Sequence, residues 1–194
     1  MYLIVYGPEG SGKGTQAELL SEKLKIPVYT SGDLVRESAN KDKGLIGNIC
    51  RNALSRGIYV PDNQMFVLWG SKLESKDAKK GFILDGFPRN LNQANFLFEK
   101  LDRNAIKINK VIYLHLTDKE AKVRLIKRCR KLFEGSNLSH DTPERINQRL
   151  ETYRKLEKEL LEFFHRRKIL LEINGSDTVE DINKNIIKNL NLNE

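Results

Sequence analysis

The sequence predicts an α/β fold: a five-stranded parallel sheet flanked by helices. Three observations carry that prediction. Five short runs are apolar or β-branched, namely YLIVY (Tyr2 to Tyr6), IPVYT (Ile26 to Thr30), FILD (Phe82 to Asp85), VIYLHL (Val111 to Leu116) and ILLEI (Ile169 to Ile173). Most are apolar at successive positions, as strands covered on both faces are. Helical patterns lie between them, and strands alternating with helices argue for a parallel sheet. Finally, the glycine-rich stretch GPEGSGKGT (Gly7 to Thr15) joins the first strand to the first helix.

Each helix has its own signal. KGTQAELLSEKL follows the first strand directly. NLNQANFLFEKL follows the third, with Asn90 as its expected N-cap. TDKEAKVRLIKRC follows the fourth, opened by Thr117 or Asp118. TPERINQRLETYRKLEKELLEFF is the longest, with Leu150, Leu156, Leu160 and Phe164 near one face, and DTVEDINKNIIKNL closes the chain. Two segments depart from the alternation. Ser31 to Val60 is helical with no strand between, and Cys129 to Glu144 is polar and turn-rich. Both read as inserts on the ligand edge of the sheet. The final NLNE is expected to fray.

Composition narrows the class. The chain has 194 residues, enough for one full core, and a formal charge of +8 that favours anionic partners. No apolar run is long enough to span a membrane. The start MYLIVYGPEG lacks a basic region and a small-residue cleavage site, so it reads as a strand and not as a signal peptide. Cys50 and Cys129 form no C-x-x-C, and His115, His140 and His165 show no metal-ligand spacing. Neither a disulfide framework nor a zinc site is expected, and a cytoplasmic location fits.

The stretch Gly7 to Thr15 follows a strand and opens a helix, the context a phosphate loop requires. Glycines let backbone N–H groups turn toward phosphate oxygens, and a helix N-terminus adds partial positive charge. Lys13 can reach terminal phosphates. Asp85 ends the FILD strand, where a carboxylate can reach a magnesium-bound water. Together these predict a P-loop NTPase fold. The pattern G-x-x-x-x-G-K-[ST] fails only at its last place, where Gly14 stands and Thr15 comes one residue late.

TSGDLVRE (Thr30 to Glu37), RGIYVPD (Arg56 to Asp62), DGFPRNLNQA (Asp85 to Ala94) and RLETY (Arg149 to Tyr153), with GKGTQ, resemble the adenylate kinase family of nucleoside monophosphate kinases. The resemblance covers nearly the whole chain, in order. In that family glycine follows the loop lysine and threonine comes next, so the loop is intact.

The resemblance implies reversible, magnesium-dependent transfer of a phosphoryl group from ATP to AMP, with other triphosphates open as donors. It implies a core of residues 1–30, 61–128 and 145–194, a monophosphate-binding insert at 31–60 and a short lid at 129–144. On the donor side it assigns the loop Gly10, Ser11, Gly12, Lys13, Gly14 and Thr15, with Arg124 stacking on the base and a backbone carbonyl near Asp177 reading it. On the acceptor side it assigns Arg36 and Arg89 to the phosphate, Ser31 and Gln93 to the base, and Val60 and Gly86 to the pocket wall. Arg128 and Arg149 join Lys13, Arg89 and Arg124 in facing the transferring charge. Asp85 and Asp33 would hold Mg2+ through water. No zinc, nucleic-acid or membrane partner is implied. The family is often monomeric, and an apolar patch on the long helix leaves an oligomer open.

Two features depart from the family. Glu9 stands where proline is usual, and a carboxylate so near phosphate is expected to point outward. The lid offers Leu138, Ser139, His140 and Asp141 where an arginine normally precedes an Asp-Asp pair. Arg145 or Arg130 is expected to replace that arginine, the alternative being that four arginines suffice and transfer is slower. FPRN echoes the pyrimidine kinases and keeps UMP or CMP as a second acceptor class. Two other classes compete: a P-loop hydrolase or switch without an acceptor, against which Arg36, Arg89 and Gln93 argue, and a basic nucleic-acid-binding module.

Overall fold

A computed structural model describes residues 1–129, 139 and 141–192. Its elements in chain order are β1 (Tyr2–Tyr6), α1 (Lys13–Leu24), β2 (Val28–Thr30), α2 (Ser31–Lys41), α3 (Leu45–Arg56), α4 (Asp62–Leu73), a 3₁₀ turn (Asp77–Lys80), β3 (Phe82–Asp85), α5 (Leu91–Asp102), β4 (Lys110–His115), α6 (Asp118–Arg128), α7 (Pro143–Arg166), β5 (Leu170–Asn174) and α8 (Val179–Asn189). The five strands form one parallel sheet in the order β2-β3-β1-β4-β5. This is the P-loop NTPase arrangement that the sequence predicts.

Successive side chains of a strand point to opposite faces, so a strand covered on both faces must be apolar throughout. In β1, Leu3 and Val5 pack with Ala17, Leu20, Ile182 and Ile186 on the face covered by α1 and α8. Ile4 and Tyr6 face Trp69, Leu97 and Phe164 of α4, α5 and α7. The connection from β1 runs to β2 on one side of the sheet, and that from its neighbour β4 runs the opposite way to β5. The C-terminal edge of β1 is therefore a switch point, where ligand clefts form in open α/β sheets.

The caps follow the chemistry of the sequence. Asn90 accepts the Gln93 N–H at 2.8 Å and opens α5. Thr117, not Asp118, opens α6 in a capping box with Glu120. Thr142 and Thr178 cap α7 and α8. The second strand is shorter than IPVYT. Only Val28 to Thr30 pair with β3, because Pro27 has no N–H to give and sits at the start of an edge strand.

One helix has no counterpart in the sequence reading. α4 fills the stretch after Val60, and its signal is faint for physical reasons. Only Met65, Trp69 and Leu73 make a buried stripe, Val67 is exposed, Gly70 weakens the interior, and Pro61 supplies no side-chain cap. The segment Ser31 to Val60 is indeed helical, as α2 and α3, joined by the Asp42 carboxylate accepting from the N–H groups of Gly44 and Gly47. Most of the expected lid, with Arg130, Leu138 and His140, and the last two residues of NLNE lie outside the described residues. Among the described residues no helix is long and apolar enough to cross a membrane.

Candidate active site

The loop after β1 turns on glycines where no other residue fits. A Cβ on Gly7 would lie 2.5 Å from the carbonyl oxygen of Leu114. Gly12 has open space around it, yet its φ of 90° at the N-cap of α1 is a left-handed conformation that L-residues rarely adopt. Ser11 is fully buried under the loop. Lys13 curls back so that Nζ donates to the carbonyl of Pro8 at 2.8 Å.

A cavity of about 630 Å³ opens above this loop, at the C-terminal edge of the sheet. Gly10, Gly12, Lys13, Gly14 and Thr15 line one end. Ser31, Asp33, Arg36 and Val60 line the other, under α2. Asp85, Gly86, Arg89 and Gln93 form the floor between them, and Arg124 and Arg128 reach in from α6. The residues assigned from widely separated motifs thus share one space.

Three assigned residues lie off its wall. Ser11 is beneath the loop, Asp177 is exposed in the turn after β5, and Arg149 is buried on α7. Arg124 joins Asp177's turn to the cavity, because its Nη1 donates to the Gly175 carbonyl at 2.8 Å. Arg149 reaches the loop through Glu9, whose Oε2 is 3.0 Å from Nη1. Glu9 therefore does not point outward: it faces the arginines and lies 4.0 Å from Arg128 Nη2. Opposite charge draws the half-buried carboxylate to these cations.

Asp141 completes this group. Its fully buried carboxylate takes two bonds from Arg128, at 2.9 and 3.0 Å, and one from Arg149 at 3.0 Å. Burial works against the charge of Arg149, but Glu9 and Asp141 outweigh it, and its pKa is raised. Arg145 does not line the cavity. Its guanidinium donates to the carbonyls of Ser139 at 3.4 Å and Ser55 at 3.3 Å, tying α7 to the end of α3.

The floor is electrostatically poised. Burial lowers the Lys13 pKa, with Asp85 and Glu9 acting the other way. Burial raises that of Asp85, opposed by Lys13 and Arg89. Each charge is short of solvation, so a charged ligand that completes the set is favoured. Arg36 holds Asp33 at 2.6 Å, and Asp33 also accepts from Thr30 Oγ1 at 2.7 Å. Ser31 Oγ and Arg89 Nε both donate to the carbonyl of Gly86, at 2.7 and 2.9 Å.

Sequence reasoning missed two cavity residues that lay inside a quoted motif, RGIYVPD. Tyr59 carries the Arg89 guanidinium 4.1 Å above its ring, and burial pushes its own pKa up to about 12. Asp62 accepts from the Gln93 amide at 2.7 Å. Neither role is legible without the fold, since the partners, Arg89 and Gln93, are 30 and 31 positions away in sequence.

Comparison with known proteins bears on the whole chain. The family model described as adenylate kinase matches residues 5–169. Similar proteins include Adenylate kinase 1 of Nostoc sp., 39% identical over 180 residues, which are 93% of each chain. The adenylate kinase of Leptospira biflexa is 37% identical over 188 residues, 97% of this chain and 98% of the relative. That of Thermobifida fusca is 37% identical over 183 residues, 94% of both. Similarity of this extent covers the loop, the helices under the cavity and the long α7 alike, and the chain belongs to the adenylate kinase family.

Proposed function

We propose that the protein catalyses reversible, magnesium-dependent phosphoryl transfer from ATP to AMP, giving ADP, and so serves nucleotide homeostasis. The observation that carries this reading is the single cavity joining the Lys13 loop to Arg36, Arg89 and Gln93. A hydrolase or switch protein needs the first group and has no use for the second.

In this reading the core is 1–30, 61–128 and 145–194, the insert 31–60 receives the monophosphate, and 129–144 is a short lid. The loop Gly10, Ser11, Gly12, Lys13, Gly14 and Thr15 holds the triphosphate, and Arg124 lies against the donor base near Asp177. Arg36 and Arg89 take the phosphate of AMP, Ser31 and Gln93 its base, and Val60 and Gly86 the wall. The chemistry asks for little covalent help. The protein sets two anions in line and neutralises the charge that spreads over the transferring group, through Lys13, Arg89, Arg124, Arg128 and Arg149. Planar arginine forks suit the equatorial oxygens.

The residues present fit a hydrated magnesium ion. Asp85 and Asp33 are hard oxygen donors on one cavity, and no group of three metal-ligating side chains is assembled among the described residues. Such a site suits an ion that keeps its waters and binds chiefly phosphate. When bound, it supplies charge neutralisation across the phosphates. AMP is favoured over UMP and CMP because the Gln93 amide and the Ser31 hydroxyl line the acceptor end of the cavity. The substrates are then small molecules, with no nucleic acid or membrane partner, no zinc, a monomer by family default with an oligomer left open, and a cytoplasmic setting that its two free thiols fit. Triphosphate turnover measured with and without AMP tests the reading: ADP should form only when AMP is present. Equal turnover without it would return the chain to the hydrolase class.

A further inference from the structure

Four side-chain groups converge beside the cavity. The Asp62 carboxylate accepts from Gln93 Nε2 at 2.7 Å, from Asn90 Nδ2 at 3.1 and 3.2 Å, and from Asn92 Nδ2 at 3.0 Å. On its other side the Gln93 amide accepts the backbone N–H of Arg89 at Oε1, 2.8 Å away. Gln93 is buried and Asp62 half-buried at the cavity wall.

This arrangement removes the usual freedom of a carboxamide to flip. A backbone N–H can only donate and a carboxylate can only accept. Turning the amide over would set NH2 against N–H and oxygen against oxygen. The neighbours are fixed in the same way. Asn90 must present Nδ2 to Asp62 because its Oδ1 already accepts the Gln93 N–H. The donor and acceptor of Gln93 therefore keep fixed places, with one N–H and one lone pair left for the occupant of the cavity.

We infer that Asp62 is a specificity-determining positioning residue, which locks the Gln93 amide in the one orientation that matches a purine carrying an amino group beside a ring nitrogen acceptor. The inference rests on the reading of Gln93 as the base contact. Adenine presents N6–H next to N1 or N7, a donor beside an acceptor. Hypoxanthine has the same shape with a carbonyl at that place. At its N1 edge it presents acceptor then donor, which only a flipped amide satisfies. At its N7 edge it presents two acceptors, which no amide orientation satisfies. A locked amide rejects both.

The test is the ratio of kcat/KM for AMP to that for IMP, in the full-length protein. Asp62→Asn keeps the shape of the side chain but can donate as well as accept, so of the two contacts that oppose flipping only the Arg89 N–H remains at full strength. The ratio should fall about tenfold, the difference between a charge-assisted and a neutral hydrogen bond, while the KM for ATP holds. In a Gln93→Ala background the ratio should already be low, and adding Asp62→Asn should move it no further. If Asp62→Asn loses its thermal transition, Asp62→Ser makes the same comparison. An unchanged ratio in Asp62→Asn, with a lowered one in Gln93→Ala, overturns the lock and leaves Gln93 as base contact. An unchanged ratio in Gln93→Ala overturns both. A further fall on adding Asp62→Asn to Gln93→Ala also overturns the lock, since Asp62 then acts by another route.

Discussion

Glu9 Oε2 and Arg149 Nη1 stand 3.0 Å apart, so a carboxylate of the phosphate loop neutralises an arginine assigned to the transferring phosphate. Arg149 is 5% exposed and Glu9 25%, so solvent screens the pair only in part. A triphosphate entering the loop must compete with Glu9. Replacing Glu9 by Gln should lower the KM for ATP about three- to tenfold, since a like charge near the phosphates is removed. It should also cost about 1–2 kcal/mol of folding stability, because Arg149 loses one partner. Steady-state kinetics and denaturant unfolding check both halves. A KM that rises would mean that Glu9 helps to hold the nucleotide.

Lys13→Ala and Arg89→Ala should each slow transfer about a hundredfold or more, as groups aimed at developing phosphoryl charge do. Circular dichroism should show both folded. Losses under about tenfold in folded variants would mean that the charge is met elsewhere.

The Lys13 pKa lies below its ordinary 10.5 through burial. The folded state therefore releases this proton before the unfolded chain does, and the group costs stability while charged. That cost is full below the depressed value and fades as pH rises from it to 10.5. Lys13→Met should melt higher than the parent at neutral pH, and the gap should close on going alkaline. Melting curves across pH read this directly. A gap constant with pH would contradict it.

The donor base should be read loosely. Arg124 donates to carbonyls of the turn after β5 and offers its face to any base. One backbone carbonyl near Asp177 adds about 0.5–1.5 kcal/mol for adenine. GTP, CTP and UTP should therefore phosphorylate AMP within about one to two powers of ten of ATP, by that same bond energy. A preference for ATP beyond that range over all three would require a base contact outside this account.

What the sequence disclosed depended on whether a signal was local. Asn90 and Thr117 announce their caps because a side-chain oxygen three residues before a free N–H is a short-range device. The phosphate loop is legible because left-handed turns demand glycine in a fixed pattern. α4 is not, since its buried stripe of Met65, Trp69 and Leu73 is visible only once α5 and α2 pack against it. The direction of Glu9 was misjudged because its partners, Arg149 and Arg128, come from helices more than a hundred residues on. Gln93 is singled out by its place after FPR, but its hydrogen bond to Asp62 is not. That contact joins the start of α4 to the start of α5 across 31 positions.

The central claim is that one cavity holds a triphosphate and AMP together, and an acceptor scan tests it most directly. ATP and magnesium would be supplied with AMP, UMP or CMP in turn, and kcat/KM measured from the nucleoside diphosphates formed. The account predicts transfer to AMP at least about tenfold better than to either pyrimidine, one base-reading hydrogen bond pair at Gln93 being worth about 1–3 kcal/mol. Comparable transfer to all three, or ATP consumption that ignores the acceptor, would contradict it.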